Sequence, residues 1–270
     1  MITNDILYIV MPAYNEAENI RAVVEQWHPI VDKVGNGSKL VIFNDGSKDN
    51  TYQKMEELAQ EYPHFIAETK PNSGHGATCL YAYQYAVDKN ADFIFQTDSD
   101  GQTDPLEFWK FWEERHPFDF GIGLRNARQD GFFRILVTKT LRFIVWCIFG
   151  VWVKDANTPF RLMKRENLQN YLAIIPNNFF LANVAMTVIS AKKKEKIFWY
   201  PITFKPRQVG VNSINLKRII KIGFKALKDF RTIKKKLRVL FNIRLKNTQY
   251  SAQKSVLLHK NHYYCELKKI

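Results

Sequence analysis

The first half of the chain alternates short apolar runs with segments of helical periodicity. Continuous apolar runs of strand length occupy residues 6–11, 40–43, 65–67 and 92–97. Segments with apolar residues at every third or fourth position lie between them, at residues 16–27, 50–62 and 76–89. Strands that alternate with helices in short units are typical of a parallel sheet covered on both faces. The pattern therefore predicts an α/β fold.

The second half of the chain has a weaker pattern. Short apolar runs at residues 121–124 and 197–204 predict two more strands, and residues 178–191 predict a buried helix. A long helix with one apolar face and lysines around it is predicted over residues 215–240. We therefore divide the chain into a globular domain, a basic amphipathic helical region and a basic tail without clear periodicity, at residues 1–212, 213–241 and 242–270.

The start of the sequence and its cysteines indicate a compartment. The first residues contain no basic cluster, and Asp5 interrupts the apolar stretch that a secretory signal would need. The three cysteines, Cys79, Cys147 and Cys265, are scattered and lack the spacing of a metal site. Such cysteines are typical of reduced thiols in a cytosolic protein. These features predict a cytoplasmic location.

The positive charge is concentrated in the last third of the chain. The formal net charge is +14, yet residues 191–270 contain 22 Lys and Arg against three acids, and residues 1–190 carry a net charge of −5. A basic tail attracts anionic lipid and nucleic acid alike, because charge alone does not select a partner. The charge pattern therefore leaves a membrane surface, nucleic acid or no partner open.

The most lipid-like segment lies at residues 143–153, within an apolar stretch at 132–153. It is well short of the roughly 20 apolar residues that cross a bilayer, and Arg134, Lys139 and Arg142 precede it. That length and those cations suit a buried or interfacial helix. We therefore expect a peripheral protein on the inner face of the membrane and not an integral one.

Four polar clusters stand at the ends of the predicted strands or before the predicted helices. They have the sequences PAYNE, NDGS, NSGHGA and DSDGQ, at residues 12–16, 44–47, 72–77 and 98–102. In open α/β sheets, ligands bind beyond the carboxyl ends of the strands. Each cluster alone is equally compatible with a helix cap or a tight turn. Four of them at successive strand ends indicate a binding site.

The last cluster contains oxygen ligands for a divalent cation. Asp98 and Asp100 are two residues apart at a strand end, where a turn lets one carboxylate reach a metal while the other contacts substrate. Asp and Gln oxygens suit Mg²⁺ or Mn²⁺, which usually keeps water and substrate phosphates as its other ligands. We expect the metal at Asp100 and Gln102, with Asp98 as a candidate third ligand.

The order of these motifs resembles that of family 2 glycosyltransferases with the GT-A fold, and especially the dolichyl- and polyprenyl-phosphate sugar synthases. The likeness covers residues 6–235 and continues in GLR at 123–125, DANTPFR at 155–161 and RQVGVNS at 207–213, which is similar to the family's RxxGxS loop. It implies a Rossmann-like, mostly parallel sheet flanked by helices. It also implies an inverting sugar transfer from a GDP- or UDP-linked donor, with Mg²⁺ or Mn²⁺ as cofactor.

The resemblance also implies roles for individual residues. The nucleotide-sugar ligands that it implies are Pro12, Ala13, Tyr14, Glu16, Asp45, Gly74, Asp98, Ser99, Arg207 and Ser213. The catalytic residues that it implies are Asp100, Arg125 and Arg161. A metal and arginine side chains suit this chemistry because they neutralise the charge that grows on the leaving diphosphate. Arginine in addition offers paired donors to a phosphate.

The scarcity of acids in the second half bears on the acceptor. Transfer to a sugar hydroxyl normally needs a carboxylate base, because a hydroxyl is a poor nucleophile at neutral pH. Only four acids follow Asp155, and Asn183 stands in an apolar helix where related enzymes often place an acid. A lipid phosphate needs no base, since its oxygen is already ionised. The missing acid is compatible either with loss of a base or with no need for one. We favour a polyprenyl phosphate acceptor, held by Arg125 and Arg161 with Arg134 as a further candidate.

Other functions stay open at this point. A transferase acting on a saccharide in cell-surface polysaccharide synthesis would need an essential carboxylate. A basic nucleic-acid-binding protein would need aromatic residues along its basic groove, and the tail has few. A nucleotide-sugar-binding protein without catalytic activity is disfavoured by the presence of Asp100, Gln102 and Arg207. The sequence leaves the sugar, the nucleotide base, the oligomeric state and any membrane-protein partner open.

Overall fold

The structure, a computed structural model, describes residues 4–125, 132–205 and 227–239, with the side chains of all of these except 132–138. The strands in these ranges are β1 (Leu7–Ala13), β2 (Lys39–Asp45), β3 (Phe65–Lys70), β4 (Phe93–Gln96), β5 (Phe120–Arg125), β6 (Arg161–Lys164) and β7 (Ile197–Ile202). They form one sheet in the order β3-β2-β1-β4-β6-β5-β7.

Helices and one short 3-10 turn, Pro105–Glu107, connect these strands. The helices in the described ranges are α1 (Ile20–Val34), α2 (Thr51–Glu61), α3 (His75–Asp88), α4 (Phe108–Glu113), α5 (Phe132–Phe149), α6 (Arg165–Leu172), α7 (Ala182–Lys192) and α8 at residues 227–239. Of these, none is long and apolar enough to cross a membrane.

The sheet is mixed and mostly parallel, as predicted. The strand β1 pairs in parallel with β2 and β4, β2 with β3, and β5 with β7. The strand β6 runs antiparallel between β4 and β5. The sequence did not predict β6, because its four residues, RLMK, have a cation at each end and show no apolar run like the FIF of β4.

The core has one layer on each face of the sheet. Along β1, Leu7 and Ile9 point to the layer under α1, α2 and α4, whereas Tyr8 and Val10 point to the layer under α3, α6 and α7. This alternation follows from the two-residue period of a strand. Because both faces are buried, β1 is apolar throughout, as expected for a parallel sheet with helices on both sides.

Two helices differ from their predicted extents. The helix predicted at 16–27 begins at Ile20 and continues through Pro29 to Val34. Proline removes a hydrogen bond from a helix interior, but the buried side chains of Ile30 and Val31 extend the apolar face beyond it. The helix α5 ends at Phe149, where Gly150 has a φ of 67°.

The helix α8 lies within the predicted basic amphipathic region. Its buried residues, Phe230, Ile233 and Leu237, repeat at helical spacing. The Phe230 ring contacts Phe149 of α5 and Phe179, with centroid distances of 5.6 Å in both cases. The apolar face of α8 therefore packs on the body. The rest of the region predicted at 213–241 and the tail at 242–270 lie outside the described residues.

Candidate active site

A cleft of about 530 Å³ opens at the edge of the sheet where β1, β2 and β4 end. The predicted nucleotide-sugar and metal residues that line it are Pro12, Ala13, Tyr14, Glu16, Asp45, Gly74, Asp98, Ser99 and Asp100. Arg207 and Ser213 lie outside the described residues. The fold therefore brings together side chains from all four polar clusters, although the role of each one stays a prediction.

Hydrogen bonds tie the four clusters to one another. The Ser99 hydroxyl donates to the Pro12 carbonyl oxygen at 2.8 Å, which joins the end of β4 to the end of β1. The Asn15 N–H donates to Ser47 Oγ, and the Lys48 N–H donates to Asn15 Oδ1, both at 2.9 Å. Asn15 has a positive φ of 55°, which asparagine tolerates better than most residues. The cleft therefore has a rigid rim.

Asp45 organises the loop between β3 and α3. Its carboxylate accepts hydrogen bonds from the Ser73 and Gly74 N–H groups at 2.8 Å each and from the Lys70 ammonium. Burial alone would raise the pKa of Asp45, but these donors outweigh it and lower the pKa. The carboxylate is therefore ionised, and the loop that carries Gly74 is held against it.

The Asp98 carboxylate also has two donors from the described residues. His75 Nε2 lies 3.0 Å from Asp98 Oδ1, and Gln96 Nε2 donates to the same oxygen at 3.1 Å. The Asp98 side chain is one quarter exposed, into the cleft. Because both contacts fall on Oδ1, the carboxylate has a fixed orientation.

The turn after β4 places hard oxygen atoms at the cleft. Gly101 has a φ of 70°, which glycine adopts without strain, and the Gln102 N–H donates to Asp100 Oδ1 at 3.2 Å. The Gln102 amide nitrogen donates to the Lys205 carbonyl oxygen at 2.8 Å. The amide oxygen is therefore the Gln102 atom left for a cation, although Gln102 is not among the residues that line the cleft. Oxygen atoms of this kind, with those of the two carboxylates, suit Mg²⁺ or Mn²⁺ by their chemistry.

The protein ligands alone would not complete a metal site. Within residues 4–125, 132–205 and 227–239, no three His, Cys, Asp or Glu side chains form a group that could hold a metal ion. A divalent cation at Asp98, Asp100 and Gln102 would therefore take further ligands from water and from donor phosphates, as Mg²⁺ usually does. The donor set thus fits a cation that binds together with a nucleotide diphosphate.

Arg125 is already paired with a carboxylate. Its Nε and Nη2 donate to the two oxygens of Asp155 at 2.8 and 2.9 Å, and its guanidinium lies over the Phe204 ring at 5.2 Å. The Arg125 side chain is 11% exposed. It is not among the residues that line the cleft, so its predicted contact with an acceptor phosphate stays a prediction.

Arg161 lies in the interior and not at the cleft. Its side chain is fully buried at the start of β6. Its five N–H groups are directed at the carbonyl oxygens of Ala156, Thr158 and Asn183 and at the Thr187 hydroxyl. These contacts give the side chain a structural role, and its predicted contact with the acceptor phosphate stays a prediction.

Three residues that line the cleft were not assigned from the sequence, namely Asn72, His75 and Phe180. Asn72 and His75 belong to the NSGHGA cluster, which had signalled the loop but not its individual side chains. Phe180 comes from the segment before α7, and no motif marks it. Phe180 reaches the cleft through tertiary packing, which the local sequence pattern does not predict.

Among the described residues, the acids that follow Asp155 do not line the cleft, and Glu266 lies outside these residues. Glu166 is exposed, and Glu195 accepts a hydrogen bond from the Tyr171 hydroxyl on α6. Asn183 is 3% exposed and bonds to the Tyr83 hydroxyl in the interior. Among the described residues, the carboxylates that line the cleft are therefore Glu16, Asp45, Asp98 and Asp100.

The parallel strand ends, the DSDGQ turn and the cleft are an arrangement that suits a glycosyltransferase. The chain belongs to glycosyl transferase family 2, whose sequence pattern matches residues 8–172. Polyprenol monophosphomannose synthase of Mycolicibacterium smegmatis is a relative with 25% identity, over 80% of this chain and 84% of that protein. The family predicted from the motifs is thus confirmed.

A second relative and a solved structure extend the comparison. The undecaprenyl-phosphate 4-deoxy-4-formamido-L-arabinose transferase of Pectobacterium atrosepticum is 25% identical over 69% of this chain, which spans only 60% of that enzyme. Glucosyl-3-phosphoglycerate synthase of Mycobacterium tuberculosis, crystallised with Mn²⁺ and UDP-glucose, has a TM-score of 0.61 and 16% identity, over 84% of this chain and 79% of that one. This similarity confirms the predicted GT-A fold.

Proposed function

We propose that this glycosyltransferase moves a sugar from a GDP- or UDP-linked donor to a polyprenyl phosphate at the cytosolic face of a membrane, with Mg²⁺ or Mn²⁺ as cofactor. The observation that carries the proposal is the cleft at the strand ends, where the Asp98 and Asp100 carboxylates lie beside the loops that surround Asp45 and Tyr14. The two relatives, whose names specify polyprenyl-type lipid acceptors, support the acceptor class.

The residues divide between donor binding and support of the leaving group. Tyr14, 43% exposed in the cleft, offers a ring for the base, and the Asp45 loop closes the same end. Asp100 and Gln102, with Asp98, would hold the cation, which neutralises charge on the departing diphosphate. Arg207, in the segment similar to the RxxGxS loop, would add a guanidinium for the diphosphate.

The reaction needs no proton transfer from the acceptor. An ionised phosphate oxygen of the lipid attacks the anomeric carbon from the face opposite to the diphosphate, and the bond from that carbon to the diphosphate oxygen breaks. The electron pair of that bond leaves with the diphosphate. Because the attack comes from the opposite face, the configuration at the anomeric carbon inverts.

The carboxylates of the cleft support an acceptor of this kind. Asp45 is bound by Lys70, Asp98 by His75 and Gln96, and Glu16 accepts from the Asn19 amide at 2.7 Å. None of these acids is placed as a base for a sugar hydroxyl.

Two neighbouring helices, α5 and α8, carry exposed groups that suit a lipid bilayer. At the end of α5 the side chains of Phe143, Trp146 and Trp152 are 58%, 50% and 64% exposed. The outer face of the neighbouring helix α8 carries exposed cations, namely Lys228, Arg231, Lys234, Lys235, Lys236 and Arg238. We call these two groups together the aromatic–basic surface. Aromatic rings favour the membrane interface, and each cation near anionic lipid contributes about 1 kcal/mol.

Lipid extraction tests the reaction. The purified full chain is incubated with Mg²⁺ or Mn²⁺, undecaprenyl phosphate in detergent, and a panel of radiolabelled nucleotide sugars. We expect label from one donor in the organic phase, and none when EDTA is present. Label that stays aqueous while the same donors are consumed with saccharide acceptors would replace the lipid acceptor with a saccharide.

Substitution of Asp100 tests the metal assignment. We expect Asp100→Asn to lower metal-dependent turnover roughly 100-fold, because the charge on the leaving diphosphate is no longer balanced. The melting temperature should stay close to that of the wild type, since Asp100 is a partly exposed turn residue. Asp88→Asn, at the exposed end of α3, is the matched control and should keep full activity. Near-normal turnover of Asp100→Asn would contradict the assignment.

A further inference from the structure

A column of buried polar side chains runs from the cleft into the core. It begins at Asp98 and continues through Gln96 on β4 and Tyr83 on α3 to Asn183 on α7. Gln96 and Tyr83 have no exposed surface, and Asn183 is 3% exposed. Apolar side chains surround the column in the layer between the sheet and α3, α6 and α7.

Gln96 is the unexpected member of this column. The other residues of β4 are Phe93, Ile94 and Phe95, so folding alone would favour another apolar residue at position 96. A buried amide is tolerated only when its polar atoms are bonded. Here the amide nitrogen donates to Asp98 Oδ1 at 3.1 Å, and the amide oxygen lies 3.2 Å from the Tyr83 hydroxyl. Gln96 therefore links Asp98 to Tyr83 with both ends of its side chain.

Tyr83 and Asp98 together hold the orientation of the Gln96 amide. Burial raises the pKa of the Tyr83 phenol well above the ordinary value, so the hydroxyl keeps its proton and acts as a donor. The ionised Asp98 carboxylate can only accept, so the Gln96 amide nitrogen faces it, and the amide oxygen shares the single hydroxyl proton of Tyr83 with Asn183 Oδ1. The Asn183 side-chain oxygen, 3.0 Å from the same hydroxyl, holds the phenol in place.

We propose that Gln96 and Tyr83 are positioning residues for the nucleotide-sugar donor, because they hold Asp98 with Oδ1 turned inwards and leave Oδ2 for the ligand. Among the described residues, the bonds to Asp98 fall on Oδ1. His75 contacts this oxygen from the cleft side and Gln96 contacts it from the core. The inference rests on the proposed use of Asp98 in donor binding, and it adds two buried residues that never touch the donor.

Removal of one hydroxyl tests the column with little disturbance of packing. Tyr83→Phe keeps the ring and deletes the hydroxyl that helps to hold Gln96. We expect its Kd for UDP or GDP, measured by calorimetry with Mn²⁺, to rise about fivefold, and its donor KM to rise with it while kcat changes less than twofold. Gln96→Met, which keeps the length of the side chain, should raise the Kd further.

A matched control separates positioning from stability. Tyr171 is also fully buried in the same apolar layer, but its hydroxyl bonds to Glu195 and is not part of the column. Tyr171→Phe should therefore leave the Kd for UDP or GDP unchanged. If both phenylalanine variants weaken nucleotide binding equally, Tyr83 serves only the packing of the core and the inference is wrong.

A double-mutant cycle shows whether Tyr83 acts through Asp98. In an Asp98→Asn background, Tyr83→Phe should have no further effect on the Kd, because the carboxylate that it orients is gone. Additive effects would overturn the inference. A chain that labels lipid but whose Tyr83→Phe variant binds like the wild type contradicts only this inference. A chain with the expected cycle that never labels lipid contradicts only the proposed acceptor.

Discussion

At the scale of single residues, Arg161 is a charged side chain that is fully buried. Its burial lowers the pKa of the guanidinium, yet hydrogen bonds to backbone oxygens of the 156–158 segment and of α7 compensate for lost water. The neighbouring ring of Phe120 lies 5.4 Å from the guanidinium carbon. The side chain thereby joins the loop before β6 to α7.

This environment predicts a stability defect for a conservative change. Arg161→Lys keeps the charge but offers three donors from a single nitrogen in place of five in a planar fork. We expect the free energy of unfolding to fall by about 3 kcal/mol, because buried oxygens lose their donors. Urea unfolding measures this change. For the control Arg165→Lys, at a partly exposed position, the free energy of unfolding should fall by less than about 0.5 kcal/mol.

The opposite result would restore the role predicted from the sequence. If Arg161→Lys unfolds like the wild type but loses affinity for undecaprenyl phosphate, the guanidinium reaches the acceptor after all. The motif DANTPFR ends in an arginine, a residue type that suits a phosphate. Only the tertiary contacts show that its N–H groups donate to backbone carbonyl oxygens. By contrast, the positions of Asp98 and Asp100 at a strand end were predictable, because strand ends follow from local pattern.

At the scale of elements, the start of α3 lies against the segment that precedes α7. A Cβ placed on Gly76 would overlap the carbonyl oxygens of Phe179 and Phe180. The glycine therefore allows the backbone of that segment to reach the helix, and this contact places Phe180 in the cleft. The NSGHGA cluster thus requires its second glycine for packing and not for a positive φ.

Gly76→Ala tests this contact. We expect the free energy of unfolding to fall by about 2 kcal/mol, since both neighbouring atoms belong to the backbone and have little room to move. The control Gly37→Ala meets no atom within 4 Å but has a φ of 81°, so it should cost roughly 1 kcal/mol through backbone strain alone. Urea unfolding of both variants gives the comparison. Equal losses would show that the close approach has no energetic weight.

Elements were predictable from the sequence in proportion to their length and periodicity. The strands β1 and β2 and the helices α2 and α3 have seven or more residues with clear patterns, and each was predicted within a few residues of its bounds. The short elements β6 and α4, with four and six residues, have no readable period. Their positions depend on pairing and packing with distant parts of the chain.

At the scale of the whole molecule, the aromatic–basic surface predicts how the protein meets a membrane. The rings of Phe143 and Trp146 contact each other at 6.0 Å, and the Arg142 guanidinium lies 4.7 Å from the Trp152 ring. A surface of exposed rings with adjacent cations is typical of interfacial binding.

Vesicle sedimentation of the full chain tests this prediction. The triple variant Phe143→Ser, Trp146→Ser and Trp152→Ser should bind phosphatidylglycerol-containing vesicles at least about tenfold more weakly, because apolar area no longer leaves water. The control Leu106→Ser removes an apolar side chain that is 77% exposed on the 3-10 turn and should bind like the wild type. Equal binding of the triple variant and the wild type would exclude the rings as an anchor.

The antiparallel strand β6 lies between two parts of the sheet, β3-β2-β1-β4 and β5-β7. Because β6 runs against β4 and β5, the loop that precedes it emerges at the edge where β5 ends, and Asp155 meets Arg125 there. Donor-side loops follow β1, β2 and β4, so they belong to another stretch of the chain. Exchanges in the 155–160 loop would therefore first change the contacts with Arg125 and Arg161, because none of its residues lines the cleft. A chimera that swaps this loop between relatives should alter the free energy of unfolding and leave the lining of the cleft as it is.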